Sequence, residues 1–288
     1  PSIAEKNGTY YFYFCANQQI GVATSNSPTG PFSDALGRPL VTTNQYDCQS
    51  IDPDVFIDDD GQAYMYFGQG RLMVVRLNPD MISFNGTPRD IEPSNYNEGT
   101  NVFRRNNTYY VLWSNNDTRS EDYQVNYGTM SSPLGPISYG SNNPILQKNV
   151  DLGILGTGHN SVLQISGRDE YYMVYHRFAI PNGDGYHREV CIDRMFINTS
   201  GSIQPVTVTL EGIQQPVYPE TSPGNPGDVS GDSLVDIVDA LLVAQYYVGL
   251  NPSNFDSSTA DTNCDGNIDI VDALLIAQFY VGLLTGFC

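Results

Sequence analysis

Two carboxylates and an imidazole claim attention first, because each heads a short apolar stretch. Asp52 opens "DPDVFIDD", Glu98 opens "EGTNVFRR" and His159 opens "HNSVLQIS". Two carboxyl groups facing one cavity can cleave an acetal. One, kept protonated, donates to the leaving oxygen, and an ionised partner serves as base or nucleophile. An imidazole in the same cavity suits a sugar, a water or a cation. A purely structural reading stays open at this point, since Asp before Pro and Glu before Gly are common at strand starts, and a histidine is as often packed as ligating. Asp58, Asp59 and Asp60 ahead of Gly61 read as a solvated turn, for acids and glycine suit the turn itself.

A second constellation lies near the C-terminus. "DVSGDSLVDIVD" from Asp228 and "DTNCDGNIDIVD" from Asp261 place side-chain oxygens at loop positions 1, 3, 5, 9 and 12. These are Asp228, Ser230, Asp232, Asp236 and Asp239, then Asp261, Asn263, Asp265, Asp269 and Asp272. A hard cation such as Ca²⁺ gathers about six or seven oxygens at this spacing, with position 7, here Leu234 or Asn267, giving a main-chain carbonyl. Position 12 is Asp where an EF-hand usually has Glu. Ser233 takes the place of the glycine expected at position 6 of the first copy. Two solvated Asp-rich turns would be the purely structural account. Two in-register copies, each followed by the same apolar pattern, weigh against it.

The elements that must position these residues follow from periodicity. "NGTYYFYF", "DGQAYMYF", "NNTYYVLW" and "RDEYYMVY" recur at intervals of about 45 to 60 residues, the range of a four-stranded propeller blade. Each follows a shorter apolar strand, and the first and third repeats close on near-identical turns, "SPTGP" and "SPLGP". A β-sandwich also has spaced strands but does not readily produce so regular a repeat. In a propeller the first residues of each innermost strand surround the central channel, which would bring Asp52, Glu98 and His159 together. After "YPETSPGNPG", which has linker composition, the spacing of "IVDALLVAQYYVGL" and "IVDALLIAQFYVGL" predicts helices. The expected organisation is a β-domain over 1–218, a linker over 219–226 and a small helical domain over 227–288.

The net charge of −19 argues against nucleic acid or an anionic membrane as partner, since both select basic surfaces. No Lys or Arg follows Arg194, as suits a cation-binding module. No apolar run approaches the roughly 18 residues of a membrane span. The cysteines Cys15, Cys48, Cys191, Cys264 and Cys288 are odd in number, so at least one is free or paired elsewhere. Cys264 with Cys288 is the expected bridge, because a small module gains most from one.

With these motifs in hand, "SIDPDVFIDDDGQAYMYFG", "NEGTNVFRRNNTYYVLWS" and "GTGHNSVLQISGRDEYYMVYHR" together resemble glycoside hydrolase family 43 over residues 1 to about 218. The resemblance implies a mainly β, five-bladed β-propeller and an inverting enzyme that removes arabinofuranosyl or xylosyl units from plant hemicellulose. It makes Glu98 the general acid and Asp52 the carboxylate that orients it and tunes its pKa. His159 falls at the channel floor, where a calcium ion or water is expected, and Arg177 or Arg188 would touch sugar hydroxyls or a carboxylate. The family's general base is an Asp of the first blade, and no Asp upstream of Asp52 fits it. Four repeats are seen, and the position matching Asp52 and Glu98 falls one or two places before Pro1, so the chain reads as a fragment whose first blade and base lie upstream. A non-catalytic sugar-binding propeller is the competing reading, and a mere display scaffold a third. Residues 227–288 resemble a type I dockerin, a small all-α domain that binds two calcium ions. That implies a cohesin partner, met at Ile237, Val238, Ile270 and Val271, and an extracellular, secreted setting, as in a cellulosome.

Overall fold

The computed structural model describes residues 1–213 and 225–287. The linker expected at 219–226 lies outside the described residues except for its last two positions, and Cys288 lies outside them as well. Two compact units are present, Pro1–Val217 and Tyr218–Cys288.

Four antiparallel sheets build the first unit. They comprise β1 (Ser2–Lys6), β2 (Thr9–Ala16), β3 (Gln19–Ser25) and β4 (Ser33–Asp34); β5 (Asp54–Ile57), β6 (Ala63–Phe67), β7 (Met73–Leu77) and β8 (Phe84–Asp90); β9 (Glu98–Arg105), β10 (Thr108–Asn115), β11 (Gln124–Met130) and β12 (Ser138–Tyr139); then β13 (Gly158–Gln164), β14 (Tyr171–Phe178) and β15 (Arg188–Met195). The innermost strands β1, β5, β9 and β13 pack against one another in that order, which is a β-propeller arrangement of four blades.

The tyrosine-rich segments are β2, β6, β10 and β14, the second strand of each sheet. Their near-continuous apolar character has a packing cause, because successive side chains of a strand point to opposite faces. In β6, Met65 and Phe67 enter the core shared with the first sheet, whereas Tyr64 and Tyr66 enter the core shared with the third. In β10, Trp113 and Val111 pack toward the second sheet, and Leu112 and Tyr110 toward the fourth. Trp113 is fully buried, and cutting such a side chain to alanine costs about 3–5 kcal/mol. Tyrosine suits these places because its hydroxyl crosses to a neighbouring loop. Tyr13 donates to the Met81 carbonyl at 2.6 Å, Tyr66 to that of Pro133 at 2.7 Å and Tyr110 to that of Gly201 at 2.8 Å. The matching turns of the first and third sheets also agree: Gly30 N–H donates to Ser27 O and Gly135 N–H to Ser132 O.

A stepwise set of side-chain bonds runs around the channel. Ser2 Oγ accepts from Val55 N at 3.1 Å, Asp54 Oδ2 from Val102 N at 2.9 Å and Asn101 Oδ1 from Val162 N at 3.0 Å. Ser2, Asp54 and Asn101 occupy one repeat position, and each ties its own innermost strand to the next. The acidic turn before Gly61 differs from the sequence expectation. Asp59 is exposed, but the Asp58 carboxylate is only 9 % exposed and bonds Arg104 at 2.8 Å and the Tyr109 hydroxyl at 2.6 Å. Asp58 therefore clamps the second sheet to the third rather than lying in solvent, and these partners hold its carboxyl below the usual range despite partial burial.

In the second unit α1 (Ile237–Tyr247) and α2 (Ile270–Tyr280) pack on each other through Ala240, Val243, Ala273 and Ile276. Each begins with the same capping box: Asp236 accepts from Val238 N while Asp239 accepts from Asp236 N, and Asp269 and Asp272 repeat the pattern. Reciprocal caps of this kind satisfy two otherwise orphaned helix donors. Cys15, Cys48 and Cys191 are free and Cys264 is disulfide-bonded; the pairing expected with Cys288 falls outside the described residues. No helix among them is long and apolar enough to cross a membrane.

Candidate active site

β-Bulges at the inner ends of two strands aim the candidate residues. Along β9, Asn101 pairs with Leu112 but Glu98 pairs with Ser114, so one extra residue is inserted. Along β13 the same slip separates the Ser161–Val174 pair from the Gly158–His176 pair. An inserted residue bends the strand and turns its side chain out of the ladder. The inserted stretch is left-handed: Gly99 has φ 66° and His159 φ 51°, and Asp52, two places before Asp54, has φ 52°. Asp52, Gly99 and His159 thus share one repeat position, and Glu98 stands one residue earlier. A side chain at position 99 would crowd His159, since a Cβ there would lie 3.2 Å from its Nδ1.

These ends enclose a channel cavity of about 500 Å³, lined among others by Asp52, Asp54, His159, Asn160 and His176. Glu98 is 6 % exposed. Its Oε1 accepts from the Tyr123 hydroxyl at 2.8 Å and its Oε2 from Gln69 Nε2 at 2.7 Å. Burial, and then the neighbouring Asp52 charge, raise its pKa, against the opposing pull of Tyr123 and His159. Asp52 Oδ1 lies 4.0 Å from His159 Nε2, and the His159 amide donates to Ser114 Oγ at 2.8 Å. The structure therefore brings Asp52 and His159 to the cavity wall, and buries Glu98 outside that lining but within reach of both charges, although the three are 46 and 61 residues apart along the chain.

The two arginines part company. Arg177 is buried and gives its guanidinium to Glu189 and the Thr209 carbonyl, both at 2.7 Å, outside the channel lining. Arg188 is exposed and reaches His176 Nε2 and Thr118 Oγ1, each at 3.1 Å. His176 stacks on Tyr123 with ring centroids 5.5 Å apart. Burial, then the Arg188 charge, push its pKa down to about 3, so it is neutral at ordinary pH.

Sequence reasoning missed several residues of this site. Gln69 and Tyr123 come from a loop after β6 and a turn before β11, where no period or motif marks them. In the sequence Asp54 stands as an ordinary residue of the strand that Asp52 opens. Burial raises its pKa to about 6, against the bonds from Val102, Asn101 and Ser2. Asn160 is 5 % exposed, and neither of its amide atoms, nor Asp52 Oδ2, has a hydrogen-bond partner among the described residues. Buried polar atoms left over beside a cavity fit a bound water, a sugar hydroxyl or, for the two oxygens, a hard cation.

The two Asp-rich loops wind around their first and last carboxylates. Asp228 accepts from Gly231, Asp232 and Ser233 amides, and Asp261 from those of Asp265 and Gly266. Asp239 and Asp272 are fully buried in a unit that has no Lys or Arg. Buried carboxylates need a counter-charge, and a cation suits them. Among the described residues no three His, Cys, Asp or Glu side chains converge on one point, so Ser230, Asn263 and main-chain carbonyls would have to complete a coordination shell. Ser233 has φ 72°, matching Gly266 at φ 86°, so the serine adopts the turn that glycine makes in the second copy.

Compared with known proteins, residues 1–203 match glycosyl hydrolases family 43. The chain belongs to that family. Residues 226–279 match the dockerin type I domain, a calcium-binding module. The family 43 part is 41 % identical over 216 residues to the β-D-galactofuranosidase xynD of Aspergillus niger, covering 73 % of this chain and 63 % of that protein. It is 33 % identical over 250 residues to an arabinoxylan arabinofuranohydrolase of Bacillus subtilis, covering 75 % and 48 %. The chain thus spans about half to two-thirds of the length of these relatives. An α-L-arabinofuranosidase structure from Clostridium thermocellum superposes with a TM-score of 0.61 at 33 % identity, covering 75 % of this chain and 74 % of that one.

Proposed function

We propose that this family 43 chain carries the general acid, and the carboxylate that tunes it, of an inverting hydrolase of plant hemicellulose. The acid, Glu98, donates its proton to the leaving glycosidic oxygen. Asp52 orients it and, by its charge, holds the proton on until transfer. The observation that carries this reading is the Glu98 carboxyl itself: buried, held at both oxygens and pushed toward its protonated form beside a second acid. An upward shift of the acid's pKa is in the direction such catalysis requires. The group removed is arabinofuranosyl or xylosyl; the furanose rings in the relatives' names favour the former. His159, Asn160 and Arg188 bind sugar hydroxyls, while Arg177 supports the fold. A calcium ion or water beside His159 would meet the leftover oxygens of Asp52 and Asn160. Neither channel aspartate is assigned as the water-activating base, since Asp54 is bonded to Val102, Asn101 and Ser2 and Asp52 is given to orienting Glu98.

The same reading makes residues 227–288 a dockerin that holds two calcium ions, through Asp228, Ser230, Asp232, Leu234 O, Asp236 and Asp239, and through Asp261, Asn263, Asp265, Asn267 O, Asp269 and Asp272. Its partner is a cohesin, in an extracellular setting. Ile237, Val238 and Leu241 with Ile270, Val271 and Leu274 line an apolar cleft of about 600 Å³ suited to that contact.

Hydrolysis of aryl arabinofuranoside, galactofuranoside and xyloside tests the reading, using this chain and a form extended upstream. Glu98→Gln should lower the rate about 10²–10⁴-fold on substrates with poor leaving groups. Nulls from both parent forms would overturn the hydrolase in favour of a sugar-binding propeller.

A further inference from the structure

Glu98 is held by two donors of different kinds, each independently anchored. Gln69 exchanges main-chain hydrogen bonds with Gln49 at 3.0 and 3.3 Å, which pins the amide that reaches Oε2. Tyr123 is fully buried and stacked on His176. Its hydroxyl also engages Ser114, the same serine that accepts from the strained His159 amide. A tyrosine hydroxyl has one proton, and here that proton is directed at Glu98. Each carboxyl oxygen offers two lone pairs, so one on each is taken by the protein.

We propose that Tyr123 and Gln69 are positioning residues for Glu98: they occupy one lone pair on each oxygen, which restricts where the transferable proton can sit, and they stabilise the carboxylate that remains once the proton has gone. The proposal rests on Glu98 acting as the acid. In that step the Glu98 O–H bond breaks and its proton passes to the glycosidic oxygen. The bond from that oxygen to the sugar carbon breaks with its electron pair retained on oxygen, while a water oxygen bonds to that carbon and passes its spare proton to a carboxylate base. Hydrogen bonds to a charged acceptor exceed those to a neutral one, so the two donors strengthen as the carboxylate forms, which favours the transition state over the ground state.

The test reads the ionisation of Glu98 directly and needs no substrate. The protein is labelled with ¹³C at the glutamate carboxyls, the Glu98 resonance is assigned by its loss in Glu98→Gln, and its titration midpoint is followed. Tyr123→Phe keeps the ring on His176, and Gln69→Ala changes a half-buried loop position, so the two variants challenge the fold differently. Each should raise the Glu98 midpoint by about one pH unit, with melting temperature checked alongside. A midpoint unmoved in both variants would overturn the proposal, even if both melted earlier. Because no hydrolysis is measured, failure of the hydrolase reading would leave this result interpretable.

Discussion

Replacing Asp54 by asparagine should change how the stability of the propeller depends on pH. Asp54 is a carboxylate at a repeat position where the neighbouring blades use neutral Ser2 and Asn101 for the same inter-strand bond. Burial is the first cause of its rise from 3.8 to about 6. The folded form therefore binds the proton more tightly than the unfolded chain does. The stability this confers is fully present below the unfolded pKa and lost as pH climbs through about 6. A rise of that size corresponds to about 3 kcal/mol, of which about 2 kcal/mol falls between pH 4.5 and 8. Asparagine keeps the acceptor for Val102 N–H, as Asn101 does for Val162, but does not titrate. Urea unfolding followed by the fluorescence of Trp113, the only tryptophan in the chain, reports on this unit alone. From pH 4.5 to 8 the parent should lose about 2 kcal/mol relative to Asp54→Asn, or about 4–8 °C in melting temperature for a unit of this size. Other shifted acids are common to both proteins and drop out of the difference. A stability gap that stays constant over this range would refute the reasoning.

Gly99→Ala should destabilise the propeller by about 1–3 kcal/mol in the same urea assay, because φ 66° is unfavourable for alanine and the new methyl meets His159 and Ser114. Ser233→Gly should stabilise the second unit by about 1 kcal/mol by relieving a left-handed serine, read as a higher melting point at 222 nm with calcium present. Chelation should remove most of the 222 nm helical signal, since α1 and α2 are the α-helices among the described residues, and added calcium should restore it. The Trp113 transition should not follow that loss; a helical signal indifferent to chelator would count against cation-supported folding.

Much of this protein was legible in the chain because its signals are short in range. The Tyr-rich strands announced the sheets, since residues buried on both faces read as apolar runs. The Asp-rich loops were visible because all the candidate side-chain ligands of each lie within one loop at fixed spacing. Asp52, Glu98 and His159 could be named as candidates from their places at strand starts. Asp58 could not be read correctly, because its partners Arg104 and Tyr109 lie in the next sheet.

What the tertiary structure alone decided is which groups meet and in which direction burial and neighbouring charges move their proton affinity. β9 and β13 carry the same one-residue insertion, so Gly99 takes the repeat position of Asp52 and His159, and Glu98 stands one residue before it. Gln69 and Tyr123 reach Glu98 from loops 29 and 25 residues away, with no local pattern to betray them. Arg177 and Arg188, 11 places apart in the chain, were equal candidates until packing sent one to Glu189 and the other to His176. Local sequence specifies φ/ψ preference and the face a side chain takes. The proton affinity of a carboxyl depends on desolvation and on charges brought close by folding, and those are properties of the assembled blades.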